Sequence, residues 1–218
     1  KRQIDENGDD KWKILTYSKN SENSYLVNSF KSHSDNGYSE KIIMLQSMYH
    51  VSFTNNSYKN WLFEQLSWIN KSEKGNVEEF EKIFFDFTLG LAKNDFRKRS
   101  DKDDLWKNQG VGINNYIFNY IDLLLWLDYF DNKSGIKDFK EGLLSRINTQ
   151  KRLFDKFRFT QRSSVEHIFP QSQIDNLKDS NKYLNNIGNL CLISSSSNSK
   201  YSDYNFEAKR EQFNKKNT

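Results

Sequence analysis

The chain has 218 residues, 35% of them hydrophobic and 28% charged, with a formal net charge of +4 at neutral pH. That length suits one domain with a smaller appendage, and 17 Phe, 11 Tyr and 5 Trp carry enough apolar volume to argue against disorder throughout. A single cysteine excludes an internal disulfide and any Cys-x-x-Cys zinc knuckle, and fits a reducing, cytoplasmic setting.

No secretory apolar segment stands in residues 1–10, and the chain begins at Lys1 without a methionine, so a piece of a longer protein is expected. Residues 1–40 are rich in Asn, Ser, Asp and Lys, with a short helix or strand at 12–17. From Tyr38 a helical stripe of Ile42, Met44, Leu45, Met48 and Tyr49 sharpens, although residues 51–53 suit an extended segment equally well. His33 and His50 have no partner at metal-ligand spacing and read as ordinary histidines. Tyr58, Trp61, Leu62, Leu66 and Ile69 recur at steps of three and four, as do Val77, Phe80, Ile83, Phe84, Phe87 and Leu91. Two amphipathic helices follow from that spacing.

Arg97-Lys98-Arg99 and then Asp101, Asp103 and Asp104 read as a charged, solvated connector. The apolar run over 113–130 is interrupted by Asn114, Asn115, Asn119, Asp122 and Asp128, which argues against a membrane span and for the central helix of a bundle. Ile136, Phe139, Leu143, Leu144 and Ile147 give another helix. It leads into residues 151–162, where basic side chains including Arg158 and Arg162 interleave with Leu153, Phe154, Phe157 and Phe159. Those charges either face a phosphate backbone or form a plain solvated face. No phosphate-cradling glycine loop occurs in the chain.

The stretch Ser164-Val165-Glu166-His167-Ile168-Phe169-Pro170-Gln171 holds the only proline and sets a carboxylate beside an imidazole. About twenty residues on come Gly188-Asn189-Leu190 and then Asn198-Ser199-Lys200. The ordered set Glu-His-Ile-x-Pro, Gly-Asn-Leu, Asn-x-Lys resembles the HNH branch of the His-Me finger (ββα-metal) nucleases, and most of all the C-terminal part of the GmrSD-type modification-dependent restriction enzymes. Their N-terminal half is a ParB-like nucleotide-binding domain, a partner domain or subunit absent from this chain. The tight match spans residues 160–212.

The resemblance implies a mainly α fold, with a helical domain over 1–158 and a ββα-metal nuclease module over 159–218 packed on it. Small modules bury a low fraction of their surface, so the second is expected to need the first. It also implies a first strand with Glu166 and His167, a second near Asn189, and a helical limb beginning at Asn198. His167 is then the general base on water, since an unperturbed imidazole titrates near pH ~6.5. Glu166 and Asn198 become hard oxygen ligands for Mg²⁺ or Mn²⁺, and Asn189 ties the connecting loop and orients His167. Neighbouring strand residues point to opposite faces, so Glu166 and His167 can serve one site only where the strand ends or twists. Pro170 favours such an end. Lys200, Lys209 and Arg210 are candidates for flanking phosphates, or else a charged helical face. Cys191, between two leucines, reads as a small core residue.

The expected function is metal-dependent DNA cleavage or nicking in an anti-phage restriction system, without a membrane. The alternative is a non-catalytic nucleic-acid-binding or regulatory module on a degenerate nuclease scaffold. A secreted HNH-type toxin is a third option, for which no delivery segment is visible.

Overall fold

Two antiparallel hairpins begin the chain: β1 (Arg2–Ile4) with β2 (Asp10–Trp12), and β3 (Leu15–Lys19) with β4 (Ser24–Asn28). In the second, the Asn20 amide donates to the Asn23 carbonyl at 2.9 Å to close the turn. The computed structural model describes residues 2–4, 10–12, 15–20, 22–28, 37–54, 59–72, 77–103, 110–133, 154–155, 157–171, 183–201 and 204–216. The helix expected over 136–147 lies outside them.

Among the described residues the fold is mainly helical, with three two-stranded sheets. The helices are α1 (Tyr38–Ser52), α2 (Asn60–Lys71), α3 (Val77–Asp103), α4 (Asn115–Lys133), α5 (Ser195–Tyr201) and α6 (Phe206–Lys216). The third sheet joins β5 (Ser164–His167) to β6 (Leu190–Ile193). No helix among the described residues is long and apolar enough to cross a membrane.

Two compact units divide the chain, one of Lys1–Leu91 with Leu123–Arg158 and one of Ala92–Asp122 with Phe159–Thr218. In the first, the α1 stripe Ile42, Met44, Leu45, Met48 and Tyr49 is buried as its spacing predicts. Tyr49 stacks on Trp61 of α2 at 4.8 Å, and Trp68 stacks on Phe87 at 5.1 Å. The predicted α2 stripe is a correction: Leu62, Leu66 and Ile69 are exposed, whereas Gln65 is buried and accepts a hydrogen bond from Gln46. Trp61 and Gln65 therefore fix the inward face, and a polar pair outranks the leucines there.

A second correction concerns residues 97–103, which continue α3 as helix instead of forming a loop. Arg and Lys are good helix formers whose stems extend to solvent, so a charged run suffices for a helical face.

The second unit is built around a core of Ile113, Ile117 and Phe118 against Leu190 and Leu192 of β6, with Phe96, Ile121, Val165 and Ile187 packed beside them. Asn114 caps α4, its side-chain oxygen accepting from the Tyr116 amide at 3.0 Å. The next turn presents Ile117 and Phe118 to the hairpin. Arg162 then fastens the lead-in to β5, donating to Asp122 at 2.6 Å and Asn119 at 2.9 Å. Ile117 is fully buried, so Ile117→Ala is expected to cost about 2–5 kcal/mol. A chemical-denaturation midpoint equal to the parent's would show that the hairpin does not lean on this helix.

Candidate functional site

Strand β5 pairs with β6 in the register Ser164 to Ile193, Val165 to Leu192, Glu166 to Cys191 and His167 to Leu190. Opposed residues share a face of an antiparallel pair. Val165 and His167 thus lie on the face of the core residues Leu192 and Leu190, and Glu166 lies on the face of Cys191. The carboxylate and the imidazole leave the strand on opposite sides, with His167 at its last position. Pro170 follows three residues later and is buried.

His167 is half-buried, and its Nε2 lies 3.0 Å from the carboxamide oxygen of Asn185. Asn189 acts on backbone. Its side-chain oxygen accepts from the Phe169 amide at 2.8 Å, and its Nδ2 donates to the carbonyls of Phe169 at 3.2 Å and Leu184 at 2.9 Å. Its own carbonyl accepts from Ile168 at 2.8 Å. Asn189 therefore ties the chain leaving β5 to the chain approaching β6, while among the described residues it is Asn185 that bonds the His167 ring.

Glu166 is engaged from α6. The Lys209 ammonium lies 2.5 Å from Glu166 Oε1 and donates to the His167 carbonyl at 2.9 Å, with the two side chains 9% and 19% exposed for Lys209 and Glu166. Asn205 places that lysine by capping α6, accepting from the Ala208 amide at 2.8 Å. Lys209 is thus inward, spent on the protein's own carboxylate. Arg162 is likewise engaged by Asp122. Lys200 and Arg210 are exposed, on α5 and α6. Arg158 is exposed too, but it falls in the first unit and donates to the Phe157 carbonyl at 2.7 Å.

The serine run is helical from Ser195, so the helix begins three residues before Asn198, the residue expected to open it. Ser194 is its cap: the Ser197 amide donates to Ser194 Oγ at 3.2 Å. Asn198 is half-buried in α5, with its amide donating to the Ser194 carbonyl at 2.9 Å.

No group of three or more His, Cys, Asp or Glu residues able to hold a metal occurs among the described residues. The donors that are present are hard oxygens. Glu166 keeps Oε2 without a protein partner among the described residues, and Asn198 offers an amide oxygen, each by itself a donor type suited to a Mg²⁺-type cation. Burial pushes the Cys191 thiol up, and the Glu166 charge on the same face pushes it the same way. A protonated thiol is a poor nucleophile, and this one donates weakly to the Glu166 carbonyl at 3.7 Å.

Two participants carried no motif. Asn185 sits in a polar doublet before Ile187-Gly188-Asn189, and Gly110 precedes α4 far off in sequence. Only the doublet's position just ahead of Gly-Asn-Leu offered any signal.

Fold and site together define a mainly helical protein whose C-terminal hairpin carries an acid and an imidazole at adjacent positions on opposite faces, with one asparagine bonded to the imidazole and another to the chain around it. The chain belongs to the family of the C-terminal domain of GmrSD restriction endonucleases, whose family model matches residues 97–218, more than half of its length. That membership gives it a restriction endonuclease-type, nuclease role. Neither the curated proteins nor the solved structures gave a match.

Proposed function

We propose that the second unit is a metal-dependent DNA endonuclease or nickase of the His-Me finger type, the effector of a bacterial restriction system. The β5–β6 hairpin and α5 stand in the order of a ββα finger. The observation that carries the reading is the anchored imidazole of His167 at the end of β5, next to a carboxylate that is itself held from α6. His167 is the general base: it takes the proton of the water that attacks the phosphodiester. Asn189 keeps the loop after β5 in place while it does so.

Glu166 and Asn198 would hold Mg²⁺ or Mn²⁺, which supplies positive charge for a phosphate oxygen and the leaving group. Lys200 and Arg210, both exposed, meet flanking phosphates. The remaining half of the enzyme is an N-terminal, ParB-like nucleotide-binding domain or subunit that selects the target, and the whole acts in the cytoplasm.

Supercoiled plasmid incubated with the protein and Mg²⁺ is expected to relax or linearise, and EDTA is expected to abolish that. A second reading, a binding module on a degenerate scaffold, draws on the ammonium that already occupies Glu166. Plasmid binding with no metal-dependent cleavage would favour it and sink the first.

A further inference from the structure

Resting on His167 as the base, we infer that Asn185 is a positioning residue that decides which ring nitrogen of His167 carries the proton, and that Gly110 is the position that makes room for it. Nε2 of His167 lies 3.0 Å from Asn185 Oδ1. A carboxamide oxygen accepts and does not donate, so Nε2 carries the hydrogen and the lone pair is left on Nδ1. A neutral imidazole takes a proton only through its bare nitrogen, so Nδ1 is the atom that meets the water.

Asn185 is in turn held from the α4 lead-in. The Gly110 amide donates to the Asn185 carbonyl at 3.2 Å. A Cβ on Gly110 would fall 2.7 Å from Asn185 Oδ1, closer than real Cβ atoms approach other heavy atoms, and a tight 3.0 Å from its Cγ. Gly110 also has φ 58, the left-handed region that favours glycine. The neighbouring residue stiffens the turn: the Asn186 amide donates to Tyr183 at 3.1 Å, and its side chain accepts from the Gly188 amide at 3.0 Å. The backbone around Asn185 is therefore held on both sides, and the missing side chain at Gly110 leaves room for the carboxamide oxygen that meets the ring. Neither residue is a catalytic residue; both act through the imidazole.

The test uses the full chain with ¹⁵N-labelled histidine, recorded where the ring signals themselves show the neutral form, and assigns His167 with His33→Gln and His50→Gln. The parent should show a pyrrole-type Nε2 with a slowly exchanging proton and a pyridine-type Nδ1. Asn185→Leu removes the acceptor, so that proton should exchange fast and the tautomers should mix. Its kcat should fall roughly ten- to a hundredfold with KM little changed, as expected for a misoriented catalytic group. Asn185→Asp keeps an acceptor oxygen and should retain the Nε2 proton, whereas Gly110→Ala should shift the ring signals in the direction of Asn185→Leu.

Should Asn185→Leu fail to fold, the contrast between Asn185→Asp and Gly110→Ala decides instead. A parent ring protonated at Nδ1, or ring signals unmoved in Asn185→Leu or in Gly110→Ala, overturns the inference. If the parent shows the stated ring signals yet cleaves nothing, the positioning stands and the reading of His167 as a base falls.

Discussion

His167→Ala is expected to slow plasmid cleavage by about 10² to 10⁴ while leaving plasmid binding intact, because a positioned proton acceptor typically contributes that much to a hydrolytic rate. The ring sits at the last position of β5, with one nitrogen spent on Asn185. Truncating it removes the base while Leu190, Leu192, Ile113 and Ile117, the residues that hold the hairpin in its core, all remain. Stability measured by denaturant should accordingly stay close to the parent's. Equal cleavage by the variant and the parent would mean that another group takes the proton.

Lys209→Met is expected to destabilise the protein by about 3–5 kcal/mol, the usual consequence of stranding one member of a buried ion pair. Its ammonium is the described partner of Glu166, whose side chain is only 19% exposed, and it also holds the His167 carbonyl. Removing the cation leaves a carboxylate that water reaches poorly. Lys209→Met combined with Glu166→Gln should recover much of the loss, since a neutral amide has no charge to strand. A denaturation midpoint for Lys209→Met within about 0.5 kcal/mol of the parent, the range of ordinary surface substitutions, would show that the pair contributes nothing to the fold.

Lys209 also illustrates what was hidden in the chain's text. From the residues alone it was one more base on a polar helix, because nothing local distinguishes a lysine aimed at solvent from one aimed at a carboxylate 43 positions earlier. Arg162 is the same case, its partner being Asp122. The motif itself was legible, since Glu166, His167, Gly188 and Asn189 stand beside apolar residues and Asn198 follows them in a fixed order.

Helices α1 and α4 were legible from apolar recurrence, which burial enforces. The hairpins β1–β2 and β3–β4 were not: Asn, Ser, Asp and Lys blur any period of two, so the strands follow from pairing partners and not from a pattern in either strand. In α2 the helix was legible and Trp61 is buried as its stripe predicts, but the rest of the inward face is shifted, since Gln65 meets Gln46 while Leu62 and Leu66 stay outside.

The carboxamide of Asn189 grips Phe169 and Leu184 together, so one side chain holds the exit from β5 and the approach to β6 at a single clasp. Such a clasp makes the hairpin on which the imidazole rides independent of how many residues separate the two grips. Doubling a tethered excursion adds only about 0.6 kcal/mol of closure entropy. Here, then, is a place where evolution or an engineer can splice in new sequence without retuning the chemistry next door.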